Sequence, residues 1–228
     1  MKIKNLHSWS VTPREAVKIQ HELKNRLVHH KIDAEVDLVA GADAAYDKKE
    51  AAVYAAVVVV RLGDMHVVES SWAMENTAFP YIPGLLTFRE GPALLRALKK
   101  IKRKPDVILF DGQGIAHPRS MGIAAHMGLH IDIPTIGCAK SKLTGDFLLP
   151  DQEVGSWSPL VHGDKTIGVV LRTRNGVKPV FISPGNGIDL QSSLAIVLLS
   201  CKKYRLPEPI RKAHILCGEI KNTYRFKF

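Results

Sequence analysis

The stretch Asp106–Gly114, DVILFDGQG, constrains this chain more than any other. Four apolar residues, Val107 to Phe110, run straight into a carboxylate, Asp111. Gly112 and Gly114 follow at once. Pro105 precedes the run and His117-Pro118 closes it, so both ends are marked. A short apolar run between such breakers predicts a buried strand. Its last residue is then presented at the carboxyl edge of a sheet, where open α/β sheets hold their ligands. The glycines let the backbone come close to whatever Asp111 holds.

The flanking sequence supplies the rest of such a sheet. Thr12-Pro13-Arg14-Glu15 predicts a helix start, with a capping threonine, a proline in the first turn and a glutamate completing a capping box. Ala16, Ile19, Leu23 and Leu27 share one face, which predicts about four helical turns. Val36–Ala45, Ala52–Leu62 and Met65–Met74 read as three strands with short links, an antiparallel meander. Phe79–Gly84 holds two prolines and a glycine, so no regular element fits there. A helix follows, with Pro92 in its first turn and Leu94, Leu95, Leu98 and Ile101 facing inward. Strand 106–110, a helix from Pro118 to Leu129 and strand Pro134–Ala139 form a parallel βαβ unit with a right-handed crossover. Residues 141–160 read as irregular. Thr166–Arg172 and Pro179–Ser183 read as strands joined through Asn175-Gly176. Asp189 caps a helix to Cys201, and a last helix spans Pro209–Thr223. The expectation is an α/β chain with a central mixed sheet flanked by helices, one domain over residues 1–228.

Charge narrows the partner. Thirty-two Lys+Arg against 22 Asp+Glu give a net +10 over 228 residues. That balance suits a polyanion such as nucleic acid, or a solvated basic surface. Cysteines at 138, 201 and 217 are odd in number and lack CxxC spacing. They point to a reducing compartment and away from a structural zinc site. The first residues lead into no apolar signal segment, and the longest apolar run, Ala51–Val60, is too short to span a membrane. A cytoplasmic protein with no membrane partner is expected.

Three acids could meet. Asp43 ends the first strand, Asp111 ends the fourth, and Glu90 begins the helix between. If the first and fourth strands are neighbours, Asp43 and Asp111 stand side by side and repel. A hard divalent cation removes the conflict, and oxygen ligands suit Mg²⁺ or Mn²⁺. For any one acid alone, capping a turn is the commoner account. His214 shares the inward face of the last helix with Ile210 and Cys217, as a core histidine, a metal ligand or a proton shuttle. His117 and Lys140 follow the ends of βαβ segments on the same edge as Asp111. Lys140 suits a phosphate contact or a solvated surface. Pro80-Tyr81-Ile82-Pro83 is an apolar loop stiffened by its prolines, fit for a wedge between bases, for core packing or for a dimer contact.

These blocks together resemble the endonuclease V family. The resemblance rests on Pro80-Tyr81-Ile82-Pro83-Gly84, Phe88-Arg89-Glu90-Gly91-Pro92, and Asp111-Gly112-Gln113-Gly114 with His117-Pro118-Arg119. It continues through Gly122–Gly128, Pro134–Ser141, Ile182–Gly185 and the Arg211–His214 helix, nearly the whole chain. It implies an RNase H-like fold. It also implies cleavage of DNA, in some members RNA, at the second phosphodiester 3′ to deoxyinosine or inosine, leaving a 3′-hydroxyl and a 5′-phosphate. Carried onto this sequence, Asp43 and Asp111 are metal ligands for Mg²⁺, with Mn²⁺ as substitute, and Glu90 lies beside them. Lys140 and His214 assist at the phosphate, and His117 supports binding and catalysis. Tyr81, Pro80, Ile82 and Pro83 form the wedge. Gly84, Leu85, Gly112, Gly114, Ile123 and Ala139 surround the flipped base. Ala125 stands where the family pattern has a serine, which leaves the polarity of the pocket wall open. The partner is nucleic acid bearing deaminated adenine, bound by a monomer.

On this reading Gly112 and Gly114 could offer backbone groups to hypoxanthine, and segment 99–104 with Arg119 could track the phosphate backbone. Two other classes stay in view. A non-catalytic nucleic-acid-binding module needs a broken acid set, yet all three acids are present. A nucleotide-binding phosphotransferase needs a second glycine-rich phosphate loop, for which Gly185-Asn186-Gly187 is the candidate.

Overall fold

Two strands far apart in the chain run side by side in the computed structural model, which describes residues 1–225. They are β1 (Leu38–Asp47) and β4 (Val107–Phe110), parallel, with Val39 beside Val107 and Ala42 beside Phe110. One further step along that register puts Asp43 next to Asp111. The Asp111 amide keeps the pairing going by donating to the Ala42 carbonyl at 3.1 Å.

The remaining strands are β2 (Ala52–Arg61), β3 (Val67–Asn76), β5 (Thr135–Ala139), β6 (Trp157–His162), β7 (Lys165–Leu171) and β8 (Val180–Pro184). All eight form one mixed sheet in the order β3-β2-β1-β4-β5-β8-β7-β6. β1, β2 and β3 make the antiparallel meander, β4 and β5 continue in parallel, and β8, β7 and β6 return to antiparallel pairing. The helices are α1 (Pro13–Leu23), α2 (Leu86–Lys100), α3 (Ile123–His130), α4 (Leu190–Ser200) and α5 (Glu208–Arg225).

Helices cover both faces, which is why the central strands are almost continuously apolar. Ala40, Ala42, Ile108 and Phe110 meet Leu94, Leu98 and Met127 of α2 and α3. Val39, Val107 and Leu109 point the other way, to Ile196 and Val197 of α4 and Ile210 and Ala213 of α5. Asp43 has the parity of Val39 and Gly41 and so lies on the α5 side. Gly41 sets how close α5 comes. A Cβ there would stand 2.1 Å from the Pro209 carbonyl carbon.

Several elements differ from expectation. α1 ends at Leu23 and passes into a 3₁₀ turn over Lys24–Arg26 instead of reaching Leu27. Its expected capping box is present, with Thr12 and Glu15 bonded reciprocally. The third strand starts two residues late because Met65 takes a left-handed turn, φ 58°. Pro92 lies inside α2, since the helix already begins at Leu86. The helix expected from Pro118 begins only at Ile123. Residues 115–122 are a tight loop, with Ser120 at φ 53°. Segment 141–160 is not wholly irregular, because Trp157–His162 forms β6. Pro159 is tolerated there because β6 is the edge strand. Among the described residues no helix is long and apolar enough to cross a membrane.

Gly41→Ala should cost about 3 kcal/mol or more, because the new methyl meets main chain that cannot move without displacing α5. Gly218→Ala, within α5 and with nothing within 4 Å of the place its methyl would take, should gain up to about 1 kcal/mol. Urea unfolding midpoints measure both. Equal, small effects would show that the β1–α5 approach is not tight.

Candidate active site

The site begins with a clash of charge. Asp43 lies in the middle of β1, not at its outer end as expected, and Asp111 follows the end of β4 beside it; Glu90 approaches from the second turn of α2. Burial raises the Asp43 pKa, repulsion from Asp111 raises it further, and the hydrogen bond from His214 opposes both. Glu90 is pushed up to about 8, first by burial and then by Asp43, with the Arg89 guanidinium opposing. Water-starved carboxylates that are short of positive charge are what a hard divalent cation relieves.

The hydrogen-bonding partners present are on the chain itself. His214 Nδ1 lies 2.7 Å from Asp43 Oδ2. Lys140 Nζ donates to Asp111 Oδ2. Asp43, Asp111 and His214 each offer one ligand atom, and these lie within 4.8 Å of one another. This donor set fits a divalent cation, with two carboxylate oxygens, one imidazole and a third acid at hand. His214 was expected on the inward face of α5. It is exposed instead, beside Asp43 where the neighbouring β4 has ended, while Ile210 and Cys217 are buried. Lys140 follows β5, and Arg205 fixes that turn by donating to the Lys140 carbonyl at 2.6 Å and the Pro179 carbonyl at 2.7 Å. No sequence spacing signals Arg205, because it reaches the site from 65 residues away.

A cavity of about 300 Å³ adjoins the acids and shares Asp111 and Lys140 with them. Tyr81, Ile82, Pro83 and Gly84 form one wall, and Gly112, Ile123 and Ala139 form another. Gly112 has φ +154°, and a Cβ there would meet Ile123 Cγ2 at 2.6 Å. A side chain at 112 would therefore both strain the turn and fill the floor.

The Gly84 carbonyl ties the first wall down. It accepts from His117 Nε2, Arg119 Nη2 and Gln20 Nε2, each at 2.9 Å. Because the carbonyl only accepts, His117 carries its proton on Nε2. Its Nδ1 accepts from the Arg119 amide at 3.1 Å. Burial holds His117 neutral, with its pKa lowered to about 4. Gln20 was not singled out by sequence; it lies buried on α1, 64 residues from Gly84.

The structure separates other residues from the cavity. Leu85 packs against Ala16 and Phe88. The Gly114 amide is spent on Ser183 Oγ at 2.8 Å, and its Cα faces the Pro184 carbonyl. Pro80 lines a shallow neighbouring groove with Trp9 and Phe88. Ala125 is buried against Leu23, Met121 and Leu129, away from the pocket wall. Arg119 is locked into the Gly84 clamp, not turned toward a phosphate backbone. Segment 99–104 lies at the opposite sheet edge, because about 15 Å of helix separates Glu90 from Lys100. There Glu69 accepts from the Lys102 and Arg103 amides.

Two residues gain importance. Gln113 lines the cavity, donates from Nε2 to the Ser141 carbonyl at 3.0 Å, and has a buried Oε1 with no partner. Arg89 stacks on Tyr46, 3.4 Å from the ring centre, and stands 5.8 Å from the ring of Tyr81, which is 67% exposed. The glycine-rich candidate at 185–187 is structural: Asn186 holds Val28 and Gly128, and Gly185 bonds the Thr135 carbonyl.

Glu90 gives the site a pH signature. Its carboxyl binds a proton more tightly in the fold than in the unfolded chain, so it lowers stability as pH rises from about 4.5 to about 8. In chelator-treated protein, Glu90→Gln should raise the thermal midpoint over the parent at pH 8.5 and much less at pH 4.5. A pH-independent difference would contradict the buried-acid assignment.

Comparison with known proteins follows the same outline. The family model described as Endonuclease V matches residues 21–215. An endonuclease V of Methanothrix thermoacetophila is 51% identical over 216 residues, covering 95% of each chain. The crystal structure of the Bacillus subtilis endonuclease V superposes with a TM-score of 0.95 at 34% identity, covering 100% of both chains. A Ciona intestinalis endonuclease V variant, solved with a 23mer DNA containing an inosine followed by a ribo-adenosine, gives a TM-score of 0.81 at 25% identity, covering 94% of this chain and 100% of the other.

Proposed function

The chain belongs to the endonuclease V family, with an RNase H-like mixed sheet, and from that premise we propose that it is a metal-dependent DNA endonuclease. The proposed cut is the second phosphodiester 3′ to deoxyinosine, leaving a 3′-hydroxyl and a 5′-phosphate. It would act in the cytoplasm as a single monomeric domain. The observation that carries this reading is the shared wall. The paired acids Asp43 and Asp111 stand beside a cavity of about 300 Å³, and Asp111 belongs to both. A base in the cavity and a phosphate further along the strand could then be held at once. The inosine-containing DNA bound by the Ciona relative supports the substrate class.

Asp43 and Asp111, with Glu90 beside them, would hold Mg²⁺ or its substitute Mn²⁺. Such an ion supplies Lewis-acid polarisation at the phosphate. Lys140, released from Asp111, would turn its ammonium to a phosphate oxygen. Asp43 orients His214 by accepting from Nδ1, and the ring, when it carries a second proton at Nε2, would give that proton to the departing 3′ oxygen. Tyr81, exposed between Pro80 and Ile82, would fill the gap left by the extruded nucleotide. Hypoxanthine pairs weakly, so its extrusion costs only a few kcal/mol. Gln113 Oε1, buried and unpartnered, is the acceptor best placed to report on the base. An exocyclic amine, as on guanine, would have to fit the tight Gly112–Ile123 floor.

The test is cleavage of matched DNA and RNA oligonucleotides, each with one inosine, in Mg²⁺, with the cut position mapped. The expected product is a nick at the second bond 3′ to the lesion in DNA. Faster cutting of the RNA would make this an inosine ribonuclease instead. Intact DNA and RNA with protein bound would leave a non-catalytic binding module. Asp43→Ala and Asp111→Ala should each lower cleavage at least about 100-fold while binding persists. Tyr81→Ala should weaken lesion binding by about 1–3 kcal/mol, the usual worth of a base–aromatic stack. Unchanged affinity would remove the wedge.

A further inference from the structure

Three histidines converge away from the acids. His7 belongs to the N-terminal segment, and His126 and His130 stand one turn apart on α3. Each offers one ring nitrogen, and the three nitrogens lie within 4.8 Å of one another. His7 Nε2 is 2.7 Å from His126 Nε2 and 3.3 Å from His130 Nε2.

The backbone decides which nitrogens carry protons. His7 Nδ1 faces the Ser8 carbonyl at 2.8 Å, and His130 Nδ1 faces the Lys4 carbonyl at 2.8 Å. A carbonyl only accepts, so both rings are protonated at Nδ1 and both Nε2 atoms present lone pairs. These two lone pairs point at each other across 3.3 Å. His126 can donate one Nε2 proton to His7, which leaves the His130 lone pair unmatched. The His126 Nδ1 is buried with no partner. The apo cluster thus holds too few protons for its nitrogens.

A cation that takes three nitrogen lone pairs would satisfy the cluster. At Zn–N bonds of about 2.0–2.1 Å and tetrahedral angles, neighbouring ligand nitrogens stand about 3.3 Å apart. The His7–His130 spacing of 3.3 Å already matches, and the 2.7 Å between His7 and His126 would have to open by about 0.6 Å. The two Nδ1–carbonyl bonds are the outer support that metal-binding imidazoles normally have. Trp9 stacks on His130 at 5.1 Å and Phe88 stands edge-on to His126 at 5.2 Å, so apolar rings wall the cluster.

We propose that His7, His126 and His130 form a second metal site, for a Zn²⁺-class late first-row divalent cation with three imidazole ligands. It shares no residue with the acid site. The absence of cysteine pairs spoke against structural zinc, but these histidines supply a different donor set. Its effect is to fasten the chain's start onto α3. That segment already pairs there through Ile3 with Ile131 and the Lys4 amide with the His130 carbonyl. α3 begins with Ile123, a wall of the cavity, so the bound ion would stiffen that wall from behind.

The test does not depend on the nuclease reading. Full-length protein carrying Asp43→Ala and Asp111→Ala, stripped with chelator, is titrated with Zn²⁺ alone by calorimetry, and bound metal is counted after dialysis. One Zn²⁺ per chain is expected, with a raised thermal midpoint. Co²⁺ in its place should give the visible absorption of a nitrogen-ligated ion. Adding His130→Phe, or separately His7→Gln, should weaken Zn²⁺ binding by more than about 100-fold. The metal-free thermal midpoint shows which variant folds, and the folded one decides. Unaltered binding in that variant, or no bound Zn²⁺ in the acid-deficient parent, would overturn the proposal.

Discussion

Two carboxylates held next to each other with little water repel, and much of this structure is arranged around that repulsion. The parallel pairing of β1 with β4 creates it, because the register that buries Ala42 beside Phe110 carries Asp43 up to Asp111. Glu90 adds a third acid whose burial raises its pKa. The fold answers with hydrogen-bonding groups brought from outside the strand pair, Lys140 from the end of β5 and His214 from α5. Gly41 belongs to the same answer. Only a residue without a side chain lets α5 lie close enough for His214 to reach Asp43.

The loop after Asp111 couples this charge problem to shape. Asp111 faces the acids, Gly112 forms a floor of the cavity, and Gln113 turns an unpartnered oxygen into buried space. Gly114 serves neither and locks the loop to β8 through Ser183. Across the cavity, three donors converge on the Gly84 carbonyl and hold the Tyr81 loop in place. His117 acts in this clamp as a neutral donor, so its influence on chemistry passes through the position of that wall.

Much of this was legible in the chain. Alternation and short links gave the meander, the Asp-Gly-x-Gly boundary gave β4, and the Thr12–Glu15 box fixed the start of α1. Those features depend on neighbours in sequence. What stayed hidden depends on neighbours in space. Gln20, Arg205 and Gly41 look ordinary until α1, the 201–207 turn and α5 are folded against the sheet. β6 was hidden by Pro159, which is acceptable only because that strand lies at the edge. His214 shares a helical face with buried Ile210 and Cys217, yet it stands beside Asp43 where β4 has stopped while β1 and β2 run on. Local periodicity cannot show where a neighbouring strand stops. The basic run 99–104 is a similar case, since charge alone does not say which end of the sheet it occupies.

The central claim is that Asp43 and Asp111 jointly receive a divalent cation and that Lys140 yields its place on Asp111 when they do. Anomalous diffraction from crystals of the protein soaked in Mn²⁺ tests it directly. The account predicts an ion between the two carboxylates at ordinary oxygen-ligand distances, about 2.0–2.2 Å, with Lys140 Nζ moved off Asp111. An ion bound elsewhere, or Lys140 still paired to Asp111 at full occupancy, would contradict it.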